Sequence, residues 1–265
     1  LGLEPYFLKS NTKTIKKISS VIKSSIDYKY LVKGIKKKKI SPIVNRVTTS
    51  SDFSDIKLGI ALDSAFGFYY ADDIEKIQSL GVKIYYFNTM KHKKLPKVDA
   101  LLIGGGFPEL FSSKLSFNEN MMASIKDFVE SNKPVYAECG GLMYLAKSIK
   151  FKNKTLKMVG AINGKVIMRS KPVGRGLVEL SQHSKHPWPM SNEIIRAHEF
   201  HYSNIILNEK INSFAYKVKR GYGINGKYDG VLYKNLLATY SHLRDTNQSM
   251  WITKYLQFIQ NKKRS

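Results

Sequence analysis

From residue 56 onward, the first half of the chain alternates short apolar runs with amphipathic segments. The apolar runs are typical of buried strands, and they lie at 56–63, 82–88, 100–106 and 134–138. Helices are predicted from the spacing of apolar residues at 71–80, 118–131 and 140–149. Strands that alternate with helices usually pair in parallel through helical crossovers. We therefore predict an α/β fold with an open, mostly parallel sheet flanked by helices.

The pattern changes in the second half of the chain. Further strands are predicted at 161–168, 176–180, 194–200 and 230–233, with no helical segment between them. Strands without crossover helices favour antiparallel pairing. We therefore expect an antiparallel extension of the sheet, followed by a last helix over 249–260.

The N-terminal segment is rich in lysine and poorly patterned. A helix is predicted over Thr12–Ile26, and a dense basic run follows at Lys36–Lys39. We assign 1–55 to a linker and 56–265 to the α/β domain. Because the chain begins at Leu1 rather than Met, we expect it to be the downstream part of a longer protein.

Composition excludes several classes of protein. The 265 residues are 43% hydrophobic, which is enough for one substantial core. The single cysteine excludes an internal disulfide and a cysteine-rich metal site. No apolar run approaches the roughly 20 residues of a membrane helix, and no secretory signal is present, so we expect a cytoplasmic location without membrane contact. The net charge of +24 comes from lysines spread along the whole chain. We attribute it to compositional bias and not to nucleic-acid binding.

The cysteine lies where a strand is predicted to turn directly into a helix. In the run PVYAECGGLMYL, the strand ends at Glu138, and Cys139 is followed by Gly140 and Gly141. Such a tight strand-to-helix turn lifts one side chain clear of the sheet and needs neighbours without β-carbons. The helix N-terminus favours the thiolate form. Cys139 is therefore predicted to be a nucleophile.

A nucleophile that attacks an amide needs donors for the oxyanion that forms. The backbone N–H of Gly140 follows the thiol directly. The glycine loop at the end of the preceding strand offers the N–H groups of Gly105 and Gly106 at the same edge of the sheet. We predict that these three groups form an oxyanion hole.

The thiol also needs a base. His242 follows an apolar, strand-like run, whereas His201 belongs to the segment RAHEFHYS together with His198 and Glu199. The residues alone leave His242 and His201 as competing bases. Without a cysteine or a helical i, i+4 pair nearby, the two histidines of RAHEFHYS do not indicate a metal site.

Five motifs together resemble a known family. Their order and spacing are similar to those of the C-terminal domain of cobyrinate a,c-diamide synthases, a class I, triad-type glutamine amidotransferase domain with a flavodoxin-like fold. The motifs are ALDSAFGFYY, ALLIGGGFPELF, PVYAECGGLMYL, RAHEFHYS and ATYSHL. The resemblance covers Ile56–His242. It also implies that 1–55 follows a missing N-terminal ATP-binding domain.

The resemblance implies roles for individual residues. Cys139 would be the nucleophile and His242 its base, which decides against His201. The third member of a triad is not evident, and Asp245 and Glu199 are the two candidates. Glu109, His198, Glu199 and His201 would shape the glutamine pocket or an interface.

The resemblance also implies an activity. The domain would be an enzyme that hydrolyses L-glutamine and delivers ammonia to the missing synthetase domain, which would amidate the a and c carboxylates of a corrinoid in cobalamin biosynthesis. ATP and Mg²⁺ would be needed by the intact two-domain enzyme, with no cofactor in this chain. Nickel sirohydrochlorin and hydrogenobyrinate are alternative acceptors. A degenerate, non-catalytic binding module is the alternative of another class, and a homodimer is left open.

Overall fold

A computed structural model describes residues 11–35, 52–190, 194–208, 213–247 and 249–264. The chain divides into two units, Leu1–Ser50 and Ser51–Ser265. The described part of the first unit holds two helices, α1 (Asn11–Ser25) and α2 (Tyr28–Ile35). The helix predicted near Thr12–Ile26 is therefore present.

The rest of the predicted linker lies mostly outside the described residues. This includes the chain start at Leu1 and the basic run Lys36–Lys39. The assignment of 1–55 to a linker stays a prediction. Within the described ranges, no helix is both long and apolar enough to cross a membrane.

The second unit contains fifteen described strands. They are β1 (Lys57–Ala61), β2 (Phe66–Phe68), β3 (Lys83–Phe87), β4 (Ala100–Ile103), β5 (Gly105–Gly106), β6 (Val135–Glu138), β7 (Ala146–Phe151), β8 (Lys154–Lys157), β9 (Ile162–Met168), β10 (Gly174–Gln182), β11 (Ile195–His201), β12 (Ser203–Leu207), β13 (Phe214–Arg220), β14 (Tyr228–Tyr233) and β15 (Leu236–Thr239). Its described helices are α3 (Ala71–Ser79), α4 (Ser112–Phe117), α5 (Glu119–Glu130), α6 (Gly140–Leu145) and α7 (Trp251–Arg264), with a short 3-10 helix at Pro108–Phe111.

Nine strands form the main sheet, in the order β11-β10-β13-β14-β15-β6-β4-β1-β3. The pairs from β15 to β3 are parallel, and the pairs from β11 to β15 are antiparallel. The predicted α/β fold with an antiparallel extension in the second half is confirmed. Strand β15 belongs to both halves, because it pairs antiparallel with β14 and parallel with β6.

One predicted helix is much shorter than expected. The apolar pattern predicted a helix over 140–149, but α6 ends at Leu145 and Ala146 begins β7. Strand β7 pairs with β8 and β9 in a second, four-stranded sheet, β12-β9-β7-β8. These long-range pairings override the local helical pattern, as tertiary context often does.

The hydrophobic core consists of two clusters of buried side chains. Consecutive residues of the central strand β6 contribute to different clusters, Val135 and Ala137 to one and Tyr136 to the other. This alternation is the two-residue period of a strand that is covered on both faces. It places the side chains of Tyr136 and Glu138 on the same face of the sheet.

Candidate active site

The candidate site lies where three neighbouring parallel strands end. Strand β6 pairs with β4 on one side, with Ile103 opposite Ala137, and with β15 on the other, with Thr239 opposite Glu138. The glycine loop follows β4, Cys139 follows β6, and His242 lies in the segment that follows β15. The carboxyl edge of a parallel sheet therefore brings the three predicted parts of the site together.

Cys139 occupies a strained turn between β6 and α6. Its backbone has φ 44° and ψ −96°, a conformation that costs a non-glycine residue about 1–3 kcal/mol. The turn is held on both sides. The Cys139 N–H donates to the carbonyl of Thr239 at 2.7 Å, and the Met143 N–H donates to the carbonyl of Cys139 at 3.0 Å. The predicted nucleophile elbow is present, with a buried thiol.

Backbone packs directly on backbone around the elbow, which explains the glycines. A β-carbon on Gly141 would lie 2.1 Å from the carbonyl oxygen of Ile103, and one on Gly106 would lie 1.9 Å from that of Ala65. A β-carbon on Gly140 would lie 2.9 Å from the backbone nitrogen of Gly106. The glycine loop and the start of α6 can therefore approach closely only without side chains.

His242 contacts the thiol and the glycine loop. Its imidazole interacts with the Cys139 side chain, and this interaction raises the pKa of the ring. Its Cε1 lies 2.6 Å from the position of a β-carbon on Gly105, so the loop also limits where the ring can lie. Burial alone would lower the pKa of His242, but hydrogen bonds with Cys139 and Glu138 outweigh it and raise the pKa to about 10. These interactions favour the imidazolium, which is the form that His242 takes once it has accepted the thiol proton.

The carboxylate facing His242 is Glu138, which the sequence did not indicate. Glu138 Oε2 lies 3.3 Å from His242 Nδ1. Glu138 Oε1 accepts hydrogen bonds from the Tyr136 hydroxyl at 2.7 Å and from the Leu243 N–H at 3.0 Å. Because Nδ1 faces Glu138, Nε2 is the ring nitrogen left for the thiol.

The two candidate orienting carboxylates, Asp245 and Glu199, have other partners. Asp245 forms an ion pair with Lys76 and accepts the Ile252 N–H at 3.0 Å. Glu199 accepts hydrogen bonds from the N–H groups of Tyr222 at 2.7 Å and Gly223 at 2.8 Å. Its Oε2 also lies 3.5 Å from His201 Nε2. Both carboxylates stabilise other parts of the chain.

The two histidines of RAHEFHYS have different surroundings. The His198 ring stacks on His242 with centroids 4.8 Å apart, and its Nδ1 hydrogen-bonds the Tyr70 hydroxyl at 2.9 Å. Burial, and then the neighbouring His242, lower the pKa of His198. His201 instead stacks on Tyr240 at 3.9 Å, and its Nδ1 lies 2.9 Å from the Ser203 carbonyl oxygen. Of the two competing bases, His242 is the one that interacts with the thiol.

Glu109 lies on the 3-10 helix directly after the glycine loop. The preceding residue, Pro108, packs 3.1 Å from the position of a β-carbon on Gly140. Burial raises the pKa of Glu109 to about 7, although its own backbone N–H partly offsets this effect. A half-buried carboxylate therefore lies close to the elbow.

Asp229 holds the segment that leads to His242, a role that no motif predicted. It is fully buried. One carboxylate oxygen accepts the hydroxyls of Thr239 and Ser241 and the Ser241 N–H, at 2.6–2.9 Å. The other accepts the N–H groups of Tyr240 and Gly230 at 3.0 and 2.8 Å. Asp229 lies on β14, and most of its partners lie at the end of β15 or just after it. The residues next to Asp229 in the sequence therefore do not indicate these contacts.

The substitution Asp229→Asn is expected to destabilise the domain by about 2–4 kcal/mol, because a donor replaces an oxygen that accepts buried hydrogen bonds. Urea unfolding measures the effect. Asp127→Asn, on an exposed position of α5, is the matched control and should change the unfolding free energy by less than about 0.5 kcal/mol. An equally small change in Asp229→Asn would contradict the assignment.

Comparisons with known proteins agree with this geometry. Residues 57–249 match the family described as the CobB/CobQ-like glutamine amidotransferase domain. The chain is 38% identical over 243 residues to a cobyrinate a,c-diamide synthase of Picrophilus torridus, covering 92% of this chain and 52% of that protein. It is 39% identical over 197 residues to the enzyme of that name from Magnetococcus marinus, covering 74% and 42%. The chain thus spans about half the length of the curated relatives it matches.

Solved structures show the same fold at low identity. A glutamine amidotransferase structure superposes with a TM-score of 0.55 at 16% identity, covering 77% of this chain and 98% of the other. A glutamine amidotransferase of Thermotoga maritima gives a TM-score of 0.51 at 15% identity, covering 79% and 86%. The match over 57–249 decides the family: the chain belongs to the CobB/CobQ-like glutamine amidotransferase domain family.

Proposed function

We propose that this chain is the glutaminase domain of a cobyrinate a,c-diamide synthase. The observation that carries the proposal is the thiol of Cys139, held on a strained elbow and interacting with the imidazole of His242. Relatives with the name cobyrinate a,c-diamide synthase support the choice of reaction. A degenerate binding module is not favoured, because decay would have no reason to preserve the thiol, the base and the glycine loop together.

The first step forms a thioester. His242 Nε2 takes the thiol proton, and the sulfur of Cys139 attacks the carboxamide carbon of glutamine. The carbonyl oxygen becomes an oxyanion, which the N–H groups of Gly140 and of the loop residues Gly105 and Gly106 would stabilise. The imidazolium then gives its proton to the amide nitrogen, the carbon–nitrogen bond breaks, and ammonia leaves.

The second step restores the enzyme. Water attacks the glutamyl thioester while His242 accepts one of its protons. The carbon–sulfur bond breaks, the sulfur regains the proton from the imidazolium, and glutamate leaves. Each turnover therefore consumes one glutamine and one water and yields glutamate and ammonia.

The ammonia needs an acceptor, which we place in the other half of the protein. The P. torridus relative is about twice as long as the matched segment. In the proposed intact enzyme, ATP and Mg²⁺ would bind that other half and activate the a and c carboxylates of a corrinoid. The residues of this chain would supply only the ammonia.

Glutamine has an α-ammonium group that needs an anionic partner, and we assign this role to Glu109. Glu109→Gln should raise KM about 10- to 100-fold with little change in kcat, because a charge-assisted contact to bound substrate is lost. In the unchanged protein, kcat/KM should fall as pH drops through about 7, where Glu109 takes up a proton. Glu119→Gln, at the start of α5, is the matched control. A Glu109→Gln variant that loses kcat but keeps KM would contradict this role.

The delivery of ammonia can be tested by combining the chain with a synthetase half. This chain is mixed with the other half of the P. torridus relative, ATP, Mg²⁺ and glutamine. We expect glutamine-dependent amidation of cobyrinate. Amidation with free ammonia but not with glutamine would contradict the delivery of ammonia by this chain. Absence of glutamate release, with or without the partner half, would refute the glutaminase assignment itself.

A further inference from the structure

The proposed mechanism relies on two residues, the Cys139–His242 dyad. It gives no role to Glu138, the residue immediately before the nucleophile. Its side chain is buried, with 8% of its surface exposed. Its Oε2 faces His242 Nδ1 at 3.3 Å. A buried carboxylate beside a histidine that must carry a proton is a charge partner for that histidine.

The Glu138 carboxylate is fixed in place by two donors on its other oxygen. The Tyr136 hydroxyl donates to Oε1 at 2.7 Å, from two residues earlier on the same face of β6. The Leu243 N–H donates to Oε1 at 3.0 Å, from the residue that follows His242. The first bond orients the carboxylate, and the second ties it to the backbone that carries the histidine. Oε2 is left pointing at Nδ1.

Two other carboxylates near this edge of the sheet, Glu199 and Asp245, are engaged elsewhere. Glu199 is bound to the turn at Tyr222 and Gly223, and Asp245 to Lys76 and α7. Among the described residues, Glu138 is the carboxylate that lies within ion-pair distance of His242.

We propose that Glu138 is the positioning residue of the glutaminase, completing a Cys139–His242–Glu138 triad from the position directly before the nucleophile. The inference rests on the proposed function and adds a third member to its dyad. Glu138 accepts a hydrogen bond from the Nδ1–H of His242, which leaves Nε2 free to take the thiol proton. Its negative charge then stabilises the imidazolium until the proton passes to ammonia.

The substitution Glu138→Gln separates this role from simple packing. The introduced amide oxygen can still accept from Tyr136 and Leu243, but its NH₂ group then faces Nδ1. A donor at that position forces Nδ1 to accept, so the ring proton moves to Nε2 and the thiol loses its base. We expect kcat for glutamine to fall about 10²- to 10⁴-fold, with KM changed less than about threefold.

A second measurement reads the charge state of the pair without substrate turnover. The rate at which iodoacetamide alkylates Cys139 is recorded from pH 5 to 9. Without the Glu138 charge, the imidazolium that stabilises the thiolate is weaker, so the midpoint of this profile should move up by about one pH unit. A purely structural role for Glu138 would not move it.

Other titratable groups around the pair must not dominate this profile. Those that face Glu138 or His242 are Tyr69, Tyr70, Asp73, Tyr136, His198 and Tyr216. Burial raises the pKa of each of these tyrosines above the ordinary value of 10 and lowers that of His198. Burial also raises the pKa of Asp73 to about 6. Between pH 7 and 9, the profile therefore reports the pair of Cys139 and His242.

Tyr136→Phe is the matched control, because it removes a bond to Oε1 and leaves Oε2 facing His242. It should lower kcat less than about tenfold and leave the alkylation midpoint unchanged. If Glu138→Gln does not fold, histidine nitrogen NMR of the unchanged protein replaces it. A downfield Nδ1–H proton, absent from His242→Asn, is the expected result, and an Nδ1 without a proton would overturn the inference.

The inference and the proposed function fail in different ways. If Glu138→Gln keeps kcat within about threefold of the unchanged protein, Glu138 is not a positioning residue, although the dyad stands. If kcat falls but the alkylation midpoint stays in place, Glu138 only maintains the fold, and the inference is also wrong. If the unchanged protein releases no glutamate, the proposed function fails.

Discussion

The variant Cys139→Ala is expected to lose glutamine hydrolysis by at least about 10³-fold, because no other side chain at the elbow can form the thioester. The effect should lie in kcat, since the pocket that binds glutamine keeps its shape. Release of glutamate by the chain measures it directly. Thermal unfolding should show a folded variant, because alanine fills most of the space of the buried thiol.

The control for Cys139→Ala uses the ammonia acceptor. When the variant is combined with a synthetase half, free ammonia should still support amidation of the acceptor, since only the supply from glutamine has been removed. Loss of both activities would indicate damage to the fold or to the contact between the halves. Glutamate release that survived the substitution would contradict the assignment of Cys139 as nucleophile.

The second large effect is expected for His242→Asn. This variant removes the base that takes the thiol proton and the acid that protonates ammonia, so kcat should fall about 10²- to 10⁴-fold. Because the cation beside the thiol is also lost, the pH midpoint of Cys139 alkylation should rise.

A matched histidine controls for the loss of an imidazole as such. His92 is exposed on the segment that follows β3, and His92→Gln should leave both kcat and the alkylation profile unchanged. His242→Asn with a kcat close to that of the unchanged protein would exclude His242 as the base. His201, which stacks on Tyr240, would then have to be tested in the same way.

Local sequence signals were sufficient for the framework of the site. The apolar run before Cys139 and the two glycines after it predicted the elbow, because a strained turn packed on backbone excludes side chains there. The glycine loop after β4 could be placed beside it, since parallel strands end at the same edge of a sheet. These features depend on neighbouring residues in the chain.

The third carboxylate could not be predicted in this way. A residue adjacent to the nucleophile on a strand is expected to point to the opposite face. The positive φ of Cys139 breaks this alternation at the turn. The contact also requires His242, 104 residues later, to be brought back by the pairing of β15 with β6. Asp229, which holds the His242 segment, depends on long-range pairing for the same reason.

The helix predicted over 140–149 is a different kind of error, because here the local pattern predicted a helix that is longer than the one in the structure. Its apolar residues fit a helix as far as Leu145, but the pattern cannot reveal that Ala146–Phe151 pairs with β9. Hydrogen bonds to a partner strand decided the structure, and the local pattern did not.

The central claim is that Cys139 and His242 hydrolyse glutamine, and covalent capture tests it most directly. The chain is incubated with 6-diazo-5-oxo-L-norleucine, a glutamine mimic that alkylates amidotransferase nucleophiles, and the adduct is mapped by mass spectrometry. We predict one adduct per chain, on Cys139, formed more slowly when L-glutamine is present and about 100-fold more slowly in His242→Asn. An unmodified Cys139, or labelling that neither glutamine nor the loss of His242 slows, would contradict the account.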